Sequence, residues 1–63
     1  MRYDTDYLSR TEVREFMIEF NKQIGKDTET KMPSQQTFTI SCYGLTNDEV
    51  EKCREIEILI VNS

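Results

Sequence analysis

Two stretches of this chain carry the same helix-start chemistry: Leu8-Ser9-Arg10-Thr11-Glu12-Val13 and Leu45-Thr46-Asn47-Asp48-Glu49-Val50. Each places a hydroxyl residue at an N-cap and a glutamate three positions on. The hydroxyl can accept the N–H of that glutamate, and the carboxylate can reach back to the N-cap N–H, which is a capping box. Each also has Leu before the cap and Val at the fourth helical position, an apolar pair that fixes the angle at which the chain enters the helix. Two helix starts are thereby set, and with them most of the architecture.

The first helix is predicted from about Arg10 to Ile24. Val13, Phe16, Met17, Phe20 and Ile24 fall at i, i+3, i+4, i+7 and i+11, a continuous apolar stripe. Gly25 stands where a helix-ending glycine belongs, and Lys22 and Lys26 complement the negative end of the helix dipole. Residues 1–7 are polar with two tyrosines and read as an arm or a short edge strand. Residues 26–36 (KDTETKMPSQQ) show no periodicity, hold the only proline and read as an exposed loop. Thr37 to Tyr43 alternates, with Phe38, Ile40 and Cys42 on one face, which is the pattern of a half-buried strand ended by Gly44.

The second helix is predicted from Asn47 to Arg54 or Glu55. The β-branched run Ile56-Glu57-Ile58-Leu59-Ile60-Val61 then reads as a second strand. A single longer helix is the competing reading, because no Gly or Pro separates the two segments. The resulting expectation is one domain over residues 1–63, a small two-layer α+β fold in the order α-β-α-β. Residues 1–7 are a candidate leading strand, and two helices pack on one face of the sheet. The two strong strands would be parallel and joined through the second helix by a right-handed crossover.

Size and composition narrow the function classes. A chain of 63 residues buries only ~60% of its unfolded surface, so its stability margin is thin. Two cysteines and no histidine fall short of the four ligands of a closed zinc site, and no metal or cofactor is expected. No apolar stretch has membrane-spanning length, and the N-terminus lacks the apolar segment of a signal peptide. The chain therefore reads as cytoplasmic, with no membrane association. Its net charge of −4, from 12 acidic and 8 basic residues, argues against a phosphate-backbone binder, whose footprint is a basic face.

Each candidate site has a plain structural alternative beside it. Cys42 and Cys53 fall on predicted inner faces and read as small buried hydrophobes before they read as a redox pair. Asp48, Glu51 and Glu55 make an acidic outer face on helix 2 suited to a basic partner, or simply a solvated surface. Glu51 and Glu55 are like charges one turn apart, which costs a few tenths of a kcal/mol unless something uses them. On helix 1, Arg10, Arg14, Ile18 and Lys22 step by four along the outer face. Arg14 and Ile18 there form a second candidate docking line. If residues 56–61 are a strand, Leu59 and Val61 point to its uncovered face beside Tyr43. Those three residues become the self-association patch of a homodimer.

No catalytic constellation is visible, and a chain this short has little volume for a cleft of even ~300 Å³, the low end for ligand sites. The residues point to a small, acidic, non-catalytic protein-binding regulator or inhibitor of a larger protein or enzyme, of the type phages and mobile elements encode. That comparison is one of type and not of sequence. The alternative is a small nucleic-acid-binding module using the Arg10/Arg14/Lys22 line.

Overall fold

A computed structural model describes all residues, 1–63. The elements run β1 (Tyr3–Asp4), α1 (Arg10–Gln23), β2 (Thr28–Ser34), β3 (Thr37–Cys42) and α2 (Asn47–Val61). The fold is α+β, with two helices against a small sheet. The sheet is antiparallel throughout, in the order β1-β3-β2.

Both capping boxes form. Ser9 Oγ accepts the Glu12 N–H at 3.2 Å and Glu12 Oε1 accepts the Ser9 N–H at 2.8 Å. Thr46 and Glu49 repeat the exchange at the same two distances. The leucines before the caps are buried, and Val13 and Val50 pack against the core that contains them. At the far end of α1, Gly25 adopts φ 71°, and its N–H donates to Phe20 O at 2.9 Å. A Cβ would be strained in that backbone, which is why glycine ends the helix.

The α1 stripe behaves as its spacing requires. Phe16 and Phe20 are fully buried and stacked with ring centroids 5.9 Å apart, while Val13, Met17 and Ile24 pack against them. From the sheet come Ile40 and Cys42, and from α2 come Cys53, Ile56 and Ile60. These two sides close one core. No buried side-chain nitrogen or oxygen lacks a hydrogen-bond partner.

Two segments differ from the sequence expectation. Residues 56–61 are the second half of α2 and not a strand. Cys53, Ile56 and Ile60 sit at i, i+3 and i+7, and all three are buried, so the helical period satisfies the core without a break. β-propensity is a weak preference that packing overrides. Without that strand there is no parallel crossover. The partner of β3 comes instead from residues 26–36, expected as a loop, which hold β2. Thr28, Glu29, Thr30 and Lys31 pair with Cys42, Ser41, Ile40 and Thr39, and a turn at Gln35-Gln36 leads into β3. β2 is an edge strand exposed along most of its length, so neither face had to be apolar and no alternation marked it. Its proline lies where the register shifts between Lys31 and Ser34, a place where a missing N–H is tolerated.

Residues 1–7 do supply a strand, though a short one. Beyond Asp4 the edge continues by other means. The Thr5 N–H donates to Ile40 O, and Thr5 Oγ1 accepts the Ile40 N–H, both at 2.9 Å. The hydroxyl stands in for a ladder carbonyl. Leu8 then pairs with Phe38. Glu57 ties this segment to α2. Its Oε1 accepts the Tyr3 hydroxyl, and its Oε2 accepts the Asp6 N–H at 2.8 Å.

Candidate functional site

The helices leave one face of the sheet to solvent, and that face is polar and internally paired. Asp4 accepts the Ser41 hydroxyl at 2.6 Å and the Arg2 Nε–H at 3.0 Å. The Arg2 guanidinium lies 5.4 Å from the Tyr43 ring centroid, and the Tyr43 hydroxyl donates to Glu29 at 3.1 Å. Asp4 is held below its ordinary 3.8, first by the Ser41 hydroxyl and then by Arg2. These polar groups satisfy one another.

The proposed self-association patch of Tyr43, Leu59 and Val61 is therefore not a unit. Tyr43 belongs to the open sheet face, whereas Leu59 and Val61 are on α2, in the helical layer on the other side of the sheet. The patch depended on residues 56–61 being a strand. Once they are helical, successive residues turn by about 100° and not by 180°, so the alternation that placed Leu59 beside Tyr43 is lost.

The helical layer carries the apolar exposure. Leu59 is 72% and Ile18 56% exposed, the highest values for large apolar side chains on the helices. They line one open groove of about 420 Å³ between α1 and α2, together with Glu15, Glu19, Ile56, Ile60 and Ser63. Ile18 and Leu59, read from the sequence as parts of two different sites, thus share one. Glu15 and Glu19 rim the α1 wall. On α2, Asp48, Lys52, Glu55 and Leu59 stand at i, i+4, i+7 and i+11, so the acidic residues continue along the helix from the groove. Asp48, Glu51 and Glu55 are all exposed, and Asp48 and Glu55 make no ion pair. Arg14, one turn before Ile18, is also exposed and unpaired. The neighbours Glu15, Glu19, Ile56 and Ile60 were not read as site residues. For Ile56 and Ile60 the signal was present in the helical spacing that they share with Cys53; Glu15 and Glu19 carried none.

Two further surface grooves have volumes of about 430 and 310 Å³. So short a chain was expected to have little volume for a cleft of even ~300 Å³, yet its surface carries three open grooves of at least that volume. Of the two further grooves, the larger is lined by Ser9, Arg10, Thr11 and Gln36, the smaller by residues including Tyr3, Tyr7 and Glu57. The Tyr3 phenol is pushed well up from 10.0, first by burial and then by its bond to Glu57, so it stays protonated. Neither groove pairs a nucleophile with a base. No three His, Cys, Asp or Glu side chains gather closely enough to hold a metal ion.

Cys42 and Cys53 are both free and fully buried. Burial, and then the neighbouring Cys53, push the Cys42 thiol up to about 12. Cys53 is raised as well, chiefly by burial. Thiolate is the reactive form, so both groups are chemically quiet and act as small core side chains.

No helix is long and apolar enough to cross a membrane. No protein-family model matches the chain, and neither a curated protein nor a solved structure matches it.

Proposed function

We propose that this chain is a small, non-catalytic protein-binding regulator that docks on a larger protein through the outer face of its two-helix layer. The observation that carries the reading is the groove between α1 and α2. Ile18 and Leu59 stand exposed on its two walls, and Glu15 and Glu19 line it. Glu55 lies one turn before Leu59 on α2, and of the cations one turn either side of Ile18, Lys22 is already paired with Glu19. The chemistry that fits is an apolar anchor side chain set among lysines and arginines. The anchor would bury Leu59 and Ile18, and the surrounding charge would steer encounter. The nucleic-acid alternative has less support. Lys22 already lies 3.6 Å from Glu19, and acids interleave the Arg10/Arg14/Lys22 line, so it is not a continuous basic stripe.

The test begins with in-cell crosslinking and mass spectrometry to identify the partner, followed by binding kinetics on the purified pair. Leu59→Lys should shorten the lifetime of the complex. The double reversal Glu51→Lys, Glu55→Lys should slow association and flatten its dependence on salt. A partner that binds all of these variants like wild type would refute the docking face. Tight binding of duplex DNA, lost on raising salt and on Arg14→Glu, would replace the protein-binding reading altogether.

A further inference from the structure

We propose that the free edge of β2 pairs with β2 of a second copy of this chain, antiparallel and centred on Thr30, so that two sheets become one. This edge is separate from the helical groove, and the proposal does not rest on the docking face.

The backbone of β2 alternates between its partner strand and solvent. Asp27 O accepts the Tyr43 N–H at 2.9 Å, which makes Asp27 and Tyr43 a hydrogen-bonded pair. On the other side of β3, Ile40 O accepts the Thr5 N–H and the Ile40 N–H donates to Thr5 Oγ1. The polar backbone groups of Ile40 are therefore turned away from β2. Both observations set the same phase. Glu29 and Lys31 direct their backbone groups to Ser41 and Thr39, whereas Thr28 and Thr30, opposite Cys42 and Ile40, direct theirs outward. β2 is last in the sheet order, so no strand of this chain meets those groups. No β2 residue belongs to the core and all but Thr28 are exposed, so the helices leave this edge open.

An unpaired edge is a template for another strand, and the side chains of β2 select which strand fits. Glu29 and Lys31 share one face of the strand. Within the chain they stand 3.9 Å apart and both are exposed, which leaves each able to take a closer partner. Read in reverse on a facing strand, Glu29-Thr30-Lys31 is its own charge complement. With Thr30 opposite Thr30 of the second copy, the two threonines exchange a pair of backbone hydrogen bonds. Each Glu29 then lies opposite Lys31 of the other copy, in the closer, non-hydrogen-bonded type of pair. The four charges make a square with opposite signs along every side and like signs only across the diagonals. A slip of one residue sets outward-facing groups against inward-facing ones and breaks the ladder. A slip of two sets Glu29 on Glu29 or Lys31 on Lys31. Charge and hydrogen bonding thus select the same register.

The joined sheet runs β1-β3-β2-β2-β3-β1. Its remaining edges are the two β1 strands, each of two residues, too short to template a further copy. Association therefore closes at the dimer. Pro33, which has no N–H to give, falls outside the paired residues 28–32.

Sedimentation velocity on the wild-type protein, from low to high micromolar concentration, should show a monomer–dimer equilibrium. Hydrogen exchange at the Thr28 and Thr30 amides should slow as concentration rises. Glu29→Lys and Lys31→Glu should each weaken the dimer by roughly tenfold, since either change sets like charges opposite one another twice. Circular dichroism melts should show that both variants fold. Mixing the E29K chain with the K31E chain should restore association, because every cross-strand contact of the mixed pair is again between opposite charges. An effect on folding alone could not produce that rescue. Leu59→Lys should dimerise like wild type. Wild type that stays monomeric throughout overturns the proposal. So does a dimer that both charge reversals leave intact, a mixture that fails to associate, or a dimer without slowed exchange at Thr28 and Thr30. Loss of the dimer on Leu59→Lys would place association in the helical groove and equally overturn pairing through β2.

Discussion

Ser9→Ala and Thr46→Ala each remove one acceptor from a closed two-bond exchange. In wild type, Ser9 Oγ and Thr46 Oγ1 each take an N–H at 3.2 Å, while the return bonds from Glu12 and Glu49 stand at 2.8 Å. Alanine leaves the N3 N–H without its side-chain acceptor. Both caps are at the surface, so water replaces the lost bond in part. The cost is then about 1 kcal/mol per site, near the middle of the range for hydroxyl caps. For a domain this small that translates into a fall in melting temperature of roughly 4–8 °C for each substitution. The two boxes lie on different helices and share no hydrogen bond, so the double variant should lose about the sum of the two. The Thr46 box has a second support, because Lys26 also holds Glu49 at 2.7 Å. Glu49 therefore stays oriented toward the Thr46 N–H after the hydroxyl is gone. Thermal melts followed at the helical circular-dichroism band, with the double variant included, make the measurement. Unchanged melting in both single variants would show that neither hydroxyl caps a helix in solution. A double variant that loses far more than the sum would show that the helices are coupled through the caps, contrary to the separation described.

The native thiols should react slowly with a thiol reagent, and the denatured protein should release two equivalents. Rapid labelling of native Cys42 or Cys53 would contradict their full burial and raised pKa. Stability should also fall at both ends of the pH scale. Glu49 is held below 4.5, first by Lys26 and then by the Thr46 backbone N–H, and Asp4 is held below 3.8. The unfolded chain therefore binds more protons near those values. Their stabilisation is complete above pH 4.5 and is lost as pH falls through the lower folded values. Tyr3 and Cys42 shift the other way, upward from 10.0 and 9.0, so what they contribute is complete below about pH 9; the Cys42 share is lost as pH rises through about 12, and the Tyr3 share is lost only at still higher pH. Melting temperatures measured across the full range check both limbs. An acid limb that is unchanged by Asp4→Asn would show that Asp4 is not part of its cause.

The local signals in the chain were sufficient for several elements. A capping box is closed within four residues, so Ser9 to Glu12 and Thr46 to Glu49 declare their helix starts without reference to the rest of the fold. The α1 stripe from Val13 to Ile24 and the alternation of Phe38, Ile40 and Cys42 are equally self-contained, since each element gathers its apolar side chains on one face. That information gave the α+β class, the burial of both cysteines, and the exposure of Ile18, Glu51 and Glu55.

Tertiary structure decided what local patterns left balanced. Residues 56–61 satisfy a strand by β-branching and a helix by the spacing of Cys53, Ile56 and Ile60. The core built by Phe16, Phe20 and Ile40 rewards the helix, because it buries Ile56 and Ile60 together. β2 has no apolar face to announce it, and it exists because β3 offers a ladder of unpaired N–H and C=O groups along its edge. The groove that joins Ile18 to Leu59 follows from both outcomes. Residues from two helices meet there only because α2 runs its full length beside α1, and a relation across that distance in sequence is set by packing.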